Sequence, residues 1–289
     1  MTALDTINEQ RSIVDKINEI LVIHGLPGEI TLSDLTFHGK YVNDLVKGNH
    51  KLSDLITNHL WPSINLATVY HYTSRSAAEC ILNSGIFRLT NIEKRYNEGE
   101  IIRFCETHNL TGYLQESSDN TPLYRELIMP NTFYASFTEA DIPKDKEEYF
   151  WNVFGCHDGV RLKFEIQATN SNFRRVKYEM KAGQPLQPLF DLIEEIKNEY
   201  GFIFTMKGIS RLCSFYLPGE YSCENEYRLL HRTWDGGDIQ PKGNGVQSYI
   251  ELPLNLMNEC GFKLKIIEVQ SKEQINMPCN YLFSKREVI

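Results

Sequence analysis

Residues 66–85 read LATVYHYTSRSAAECILNSG, and this stretch decides how the chain is organised. Leu66 to Tyr72 is rich in β-formers and predicts a strand. Ser76-Ala77-Ala78-Glu79 has the spacing of a capping box, in which a hydroxyl and a carboxylate three residues later satisfy two free backbone donors. It predicts a helix that closes on Gly85, a residue able to take the left-handed conformation of a helix end. His71 stands near the end of the strand, where its ring can be aimed into a cleft between sheet edges. For a single histidine, a partly buried ring bonded to backbone is the commoner outcome.

Downstream, Thr132 to Phe137 is aromatic and β-prone. Val160, Leu162, Phe164 and Ile166 alternate with Arg161, Lys163 and Glu165, the period-2 pattern of a half-buried strand. Leu189, Leu192, Ile193 and Ile196 describe an amphipathic helix introduced by Pro188. Further strands are expected at Tyr227–Arg232, Tyr249–Leu252 and Phe262–Val269. The mostly polar Asn91 to Pro130 predicts one helix, Glu100 to Glu106, and a long excursion around Ser117–Thr121. Gly236, Gly237, Gly243 and Gly245 mark a loop. Strands and helices in this irregular order give an α+β fold, not a doubly wound sheet.

Upstream, residues 1 to about 60 read as helical. Thr6 and Glu9 have capping-box spacing, Ile13, Ile17, Ile20 and Leu21 follow a helical period, and Gly25 and Pro27 stop it. Leu-Ser-Asp-Leu occurs twice, at Leu32–Leu35 and Leu52–Leu55, each Ser-Asp able to cap a short helix, or the pair marking a degenerate repeat. The expected organisation is a helical accessory region over 1–63 and an α+β domain over 64–289.

The composition narrows the function. With 289 residues, 42% of them hydrophobic, the chain can bury a real core. No window approaches the roughly 18 apolar residues of a membrane span, and Met1 to Asn8 lacks the basic-then-apolar pattern of a secretory signal. A cytoplasmic protein with no membrane partner is expected. Seven cysteines, at 80, 105, 156, 213, 223, 260 and 279, show no C-x-x-C spacing, so reduced thiols, mostly small core hydrophobes, are expected instead of disulfides. The histidines do not pair with them at zinc spacing, so no metal is expected. A net charge of −8 argues against bulk attraction to nucleic acid. Arg161, Lys163, Arg174, Arg175, Lys177 and Lys181 could still supply a local basic groove.

Three places carry candidate chemistry. The first is Val69-Tyr70-His71-Tyr72-Thr73. The second is Asn131 to Thr138 with the later run Tyr149-Phe150-Trp151, whose rings can stack on a flat or cationic ring, or simply pack a core. The third is Glu224-Asn225-Glu226-Tyr227-Arg228. In a strand, residues two apart share a side, so Glu224 and Glu226 would project together. A solvated strand edge paired with Arg228 or Arg232 is the plainer reading.

Together these pieces resemble the ADP-ribosyltransferase superfamily. Tyr70-His71-Tyr72-Thr73 through Ile81-Leu82-Asn83-Ser84-Gly85 is similar to its first motif. Phe133-Tyr134-Ala135 followed by Ser136 resembles its second strand, and Asn225-Glu226-Tyr227 resembles the surroundings of its catalytic glutamate. The chain also resembles, over most of 66 to 270, a bacterial family catalogued as domain of unknown function 2971. The matching pieces are Tyr70 to Thr73, Asn97-Glu98 with Glu100, Ser136, Trp151 ahead of Gly159, and Glu224-x-Glu226-Tyr227-Arg228. Two departures stand out. Tyr72 replaces the glycine that follows the histidine in the polymerase branch, and Tyr216-Leu217-Pro218 stands where the bacterial family carries a lysine.

The resemblance implies a split β-sheet core, a His–Tyr–Glu site, NAD as co-substrate and no metal. It implies Glu226 as the catalytic carboxylate and Glu224 as the group that orients or deprotonates the acceptor. The dinucleotide would be held by His71, Tyr72, Thr73, Tyr134, Ser136 and one of Tyr149 or Trp151. Nicotinamide leaves NAD as a cation becoming neutral, so no acid is needed. What the reaction needs is a carboxylate beside the oxocarbenium-like ribose. No Gly-rich phosphate loop is present, which counts against dehydrogenases and P-loop enzymes. The implied activity is ADP-ribosylation of a macromolecule, protein or nucleic acid, by a bacterial toxin or antiphage effector, with an antitoxin or neutralising protein as a possible partner. The alternatives are an NAD glycohydrolase and a non-catalytic binding or sensor domain on the same fold.

Overall fold

The computed structural model describes residues 3–44, 50–95, 98–116, 119–155, 159–170, 172–206, 208–235, 239–272 and 277–278. Asn97, Ser117, Ser118, Cys156, Gly236, Gly237 and Cys279, all named above, lie outside these residues. In chain order the helices are α1 (Ala3–Ile23), α2 (Lys51–Leu60), α3 (Arg75–Ser84), α4 (Glu98–Thr107), α5 (Thr111–Leu114), α6 (Leu123–Leu127), α7 (Lys144–Val153), α8 (Gln187–Tyr200) and α9 (Ile209–Ser214). The strands up to residue 178 are β1 (Thr36–His38), β2 (Tyr41–Asn43), β3 (Leu66–Thr73), β4 (Ile86–Asn91), β5 (Thr132–Glu139), β6 (Val160–Ala168), β7 (Phe173–Arg175) and β8 (Lys177–Tyr178). They are followed by β9 (Ile203–Phe204), β10 (Tyr216–Leu217), β11 (Glu226–Arg232), β12 (Tyr249–Pro253), β13 (Phe262–Ser271) and β14 (Met277–Pro278). The fold is α+β. Among the described residues, no helix is long and apolar enough to cross a membrane.

The chain divides into two compact units, the first made of 1–62, 95–131 and 177–222, the second of 63–94, 132–176 and 223–289. The change of unit at Pro62/Ser63 falls where the sequence changes character. The N-terminal helices nevertheless share their unit with two later segments, because the apolar stripe of α1 needs a partner. Ile13, Ile17, Ile20 and Leu21 are buried, as are Leu189, Leu192, Ile193 and Ile196 of α8. Lys16 of α1 pairs with Glu195 and Glu199 of α8 at 3.3 and 3.4 Å. Pro188 opens α8 and Gly201, at φ 72, closes it. Three-stranded β1-β2-β9 and parallel β8-β10 complete the first unit's sheets.

The second unit is built on a nine-stranded sheet in the order β12-β4-β5-β3-β6-β13-β14, with β11 and β7 branching from β5. β3 pairs with β6 along its whole length, from Leu66 opposite Gln167 to Thr73 opposite Val160. It meets β5 through only Val69–Glu139 and Tyr70–Thr138. This narrow pairing divides the strand order into one wing of β3, β6, β13 and β14 and another of β5, β11, β7, β4 and β12, in which β4 joins β5 just as narrowly. Ile250 and Leu252 of β12, at one end of the strand order, and Leu264 and Ile266 of β13, next to the other end, contribute to one hydrophobic cluster. It also holds Val69, Phe87, Phe137, Leu162 and Phe164, so one face of both wings wraps a common core.

Several local expectations shift by two residues or more. Ser74 caps α3, accepting from the Ala77 N–H at 3.3 Å, because Ser76 already lies in the first turn; Gly85 closes the helix at φ 68 as expected. Helix α1 starts before Thr6, which removes its capping role. At the first Leu-Ser-Asp-Leu the cap is Thr31, boxed with Asp34; the second lies inside α2. The polar stretch after Asn91 holds α4, α5 and α6, not one helix. Of the cysteines described, Cys105, Cys213 and Cys260 are buried, while Cys80 is exposed and Cys223 half-buried; all five are free thiols.

His108, fully buried in the first unit, stacks on Phe104 with ring centroids 4.1 Å apart. Its Nε2 accepts from the Leu186 N–H at 2.8 Å, so Nδ1 carries the proton and donates to the Phe104 carbonyl at 2.7 Å. Burial pulls its pKa from 6.5 down to about 4. The unfolded chain therefore binds a proton between those values that the folded chain refuses. Stability should be full above 6.5 and fall by up to about 1.4 kcal/mol per pH unit toward about 4. Urea unfolding at about pH 7 and about pH 5 should show this slope, and His108→Gln should flatten it.

Candidate active site

His71 sits in β3 because Val69-Tyr70-His71-Tyr72-Thr73 alternates across a sheet paired continuously with β6. Its ring lies 5.2 Å from Phe87, 5.5 Å from Phe137 and 6.5 Å from Phe164. All three rings belong to the common core. Its Nδ1 lies 2.9 Å from the Ser136 carbonyl oxygen of β5, across the point where β3 and β5 stop pairing. With the proton on Nδ1, the imidazole donates to that carbonyl and ties the two wings together.

Glu226 opens β11, just after Asn225, whose φ of 44 turns the chain through the left-handed region. It is 4% exposed. Arg228 Nε donates to its Oε1 at 2.7 Å and Arg228 Nη2 to its Oε2 at 3.1 Å. This two-pronged geometry fixes the carboxylate plane. The guanidinium in turn lies over the ring of Tyr134, 4.6 Å from its centroid. Tyr134 is 2% exposed, so it supports Arg228 from within the fold.

The strand register decides which side chains meet. Glu226 lies opposite Thr138, which lies opposite Tyr70, which lies opposite Lys163. Paired residues of neighbouring strands share a face, so Glu226, Thr138, Tyr70 and Lys163 form one row. Ser136 and Arg174 flank Arg228 on the same face. His71 belongs to the other face. The His71 and Glu226 rows lie two strands apart, roughly 10 Å, and the two side chains stand on opposite faces of the sheet.

Glu224 also departs from expectation. It ends a 3-10 turn, Gly219–Glu224, and the left-handed Asn225 separates it from β11. The same-side argument needs a continuous strand, and that strand begins at Glu226. Glu224 meets Tyr149 of α7 instead. Burial, the Cys223 thiol and the Glu224 carboxylate push the Tyr149 hydroxyl up to about 12, while its ring stays 39% exposed.

Trp151 and Tyr72 are occupied by packing. They form a box with Tyr70 and Phe150 around Arg161. That guanidinium lies 4.1 Å from the Tyr70 ring and 5.6 Å from the Trp151 ring. It also donates to the Tyr72 hydroxyl at 3.2 Å and to Glu147 at 2.6 Å. Of the two candidates to stack on a ligand ring, Tyr149 is the open one. Thr73 ends β3, and the Cβ of any residue larger than Gly159 would collide with its carbonyl and that of Gly155.

The expected basic groove does not form on the second unit: Arg161 and Arg174 are 9% and 0% exposed, and Arg175 pairs with Glu139 at 3.2 Å. Lys177 and Lys181 belong to the first unit. Two neighbours of Glu226 were given no place in the site by the sequence reading. Arg228 entered the sequence reading only as the ion-pair partner at a solvated strand edge, whereas the pair is buried. Thr138 has no signal in the sequence, since only the β5–β11 register brings it opposite Glu226. Its hydroxyl, on a residue 7% exposed, has no hydrogen-bond partner among the described residues. Among the described residues no group of His, Cys, Asp and Glu is placed to hold a metal ion. No family model, curated protein or solved structure matches the chain.

Removing one partner of a buried ion pair strands the other charge and costs about 3–5 kcal/mol. Arg228→Ala should therefore lower the unfolding free energy by that amount in urea titrations. A double variant, Glu226→Leu with Arg228→Met, should recover most of it. A loss below about 1 kcal/mol for Arg228→Ala would mean that the pair behaves as a solvated one.

Proposed function

We propose that the chain splits NAD at the nicotinamide–ribose bond and transfers ADP-ribose to a macromolecular acceptor. The observation that carries this reading is the buried carboxylate of Glu226, with its plane fixed by Arg228, at the first residue of a strand in an antiparallel sheet. A fixed carboxylate needs no reorganisation as positive charge develops on the ribose, so it stabilises the oxocarbenium-like state more than it stabilises the ground state. The C1′–N bond breaks, its electron pair neutralises the nicotinamide ring, and an acceptor oxygen or nitrogen forms the new bond to C1′. Glu224 takes the acceptor's proton. Tyr149 offers the nicotinamide a ring face. The Thr138 hydroxyl, beside Glu226 in the strand register, is a donor for the sugar.

His71 has a different role in this proposal from the one its motif implies. Its bond to the Ser136 carbonyl makes it a positioning residue that sets the opening between β3 and β5, not a direct ligand of the dinucleotide. The biological setting we infer is that of a bacterial toxin or antiphage effector held in check by a neutralising protein.

A non-catalytic binding domain is the second reading. It draws on one observation, that Arg228 engages both Glu226 oxygens, as in an ion pair that only supports the fold. Labelled NAD incubated with the protein and cell extract separates the two. The transferase reading expects label on protein or nucleic acid, and a rate about 10²–10³ lower for Glu226→Gln, with unchanged circular dichroism. Tyr149→Ala should raise KM for NAD more than it lowers kcat. NAD consumed without labelled macromolecule assigns a glycohydrolase. If wild type and Glu226→Gln alike leave NAD intact, the binding-domain reading stands.

A further inference from the structure

The first unit holds a cleft of about 610 Å³ that the proposed reaction does not use. Its volume lies within the range of small-molecule sites. Arg103, Tyr178, Glu179, Met180, Gly219 and Glu220 are among its lining residues. The floor is Glu179, whose side chain is 4% exposed. One oxygen, Oε2, receives both of its hydrogen bonds, from Arg103 Nη2 at 2.6 Å and from the Gly183 N–H at 3.1 Å. Among the described residues the other oxygen, Oε1, accepts none. A carboxylate oxygen that accepts no hydrogen bond from the protein keeps its lone pairs for a donor brought by a ligand.

This floor is held in place by backbone. The parallel pair β8-β10 continues into a bond from the Glu179 N–H to the Leu217 carbonyl at 2.9 Å. Gly219 packs so closely on the Glu179 carbonyl that any Cβ there would collide with it. At the rim, Glu220 is 65% exposed and 3.9 Å from Arg103 Nη1, beyond hydrogen-bond distance. The lining therefore carries two carboxylates against one guanidinium. An entering anion would add to an unbalanced negative charge, and an entering cation would cancel it. Tyr216, beside the same carboxylate, reports this field: burial first and Glu179 second push its hydroxyl up to about 12. Met180, 86% exposed, and the ring of Tyr178 supply an apolar wall.

We propose that this cleft binds a guanidinium or ammonium group on an alkyl stem, the head donating to Glu179 Oε1 and Glu220 and the stem lying along Met180. The group can come from a basic side chain of a protein partner or from a free alkyl amine. The site is independent of the NAD reading, and its test does not involve NAD.

Acetyl-arginine methylamide, its uncharged citrulline counterpart and an arginine-containing pentapeptide, titrated against the full chain by calorimetry or NMR, test the idea. The blocked arginine should bind at least about tenfold more tightly than the citrulline compound, a difference of about 1.4 kcal/mol. Glu220→Gln, at an exposed position that leaves the fold intact, should weaken arginine binding about threefold or more and leave citrulline unaffected. A pentapeptide tighter than the blocked arginine assigns a protein partner, and equal affinities assign a small amine. Equal binding of arginine and citrulline, indifference to Glu220→Gln, or displacement of the ligand by inorganic phosphate would overturn the proposal.

Discussion

Among the described residues, two residue pairs, Val69 with Glu139 and Tyr70 with Thr138, are the strand pairing that joins the two wings of the large sheet. Each strand beside this seam is paired far more extensively with its other neighbour, β3 with β6 and β5 with β11. Strand β4 joins β5 as narrowly, through Thr90–Tyr134 and Asn91–Phe133. The seam is reinforced by packing more than by backbone bonds. Phe137 comes from one wing and Phe164 from the other, with ring centroids 5.6 Å apart, and the His71 ring fills the space between them and Phe87. Where ladder bonds end, a side chain bonds to backbone, imidazole Nδ1 to the Ser136 carbonyl.

The opposite face of the sheet is organised by charge. Arg161, Arg174, Arg228 and Arg232 are each 9% exposed or less, in a chain whose net charge is −8. Three of them have carboxylates at bonding distance: Glu147 for Arg161, Glu226 for Arg228 and Asp235 for Arg232. Buried pairs of this kind add little stability over apolar side chains of the same volume, but breaking one is expensive. Their consequence is orientation. Arg228 on Tyr134 fixes Glu226, and Arg161 fills the box of Tyr70, Tyr72 and Trp151. Tyr149 remains the open ring.

Most of the second unit is legible from sequence because its strands are long and one-sided. Val160 to Ala168 alternates plainly, and β5, β11, β12 and β13 fall within a residue or two of their expected bounds. Helix α8 is legible for the same reason, with Pro188 at its start and a complete apolar stripe. The short strands β7 to β10 are not, since two or three residues cannot display a period. Nor is the make-up of the first unit, where the partner of Ile13 and Ile17 is a helix more than 170 positions away (189 − 17 = 172). The failure at Glu224 is of another kind. The period-2 rule was sound, but Asn225 in the left-handed region ends the strand one residue too early for it. Counted forward, the same rule reaches Arg228, which the plainer reading already named as a partner. A count along one strand also cannot reveal faces across a sheet. His71 and Glu226 are separated by register, which depends on how β3, β5 and β11 align, and no single segment contains that information.

A carboxylate is available for chemistry only to the extent that its own fold leaves it unsatisfied. Glu226 has both oxygens engaged by Arg228, and Glu179 has one oxygen engaged twice and the other open. The two residues are similarly buried but serve different purposes. At Glu179 a cationic donor completes the shell and can bind for that reason alone. At Glu226 each oxygen already holds one charge-assisted bond from Arg228, so a further ground-state hydrogen bond adds less than it would at a bare carboxylate. A group that becomes positively charged only as a bond breaks gains from the fixed negative field without displacing Arg228 at all. In the proposed reaction, a carboxylate that binds substrate poorly and the developing ribose cation strongly is what differential stabilisation requires. The tight Arg228 clamp is therefore compatible with catalysis in which Glu226 acts through its fixed field.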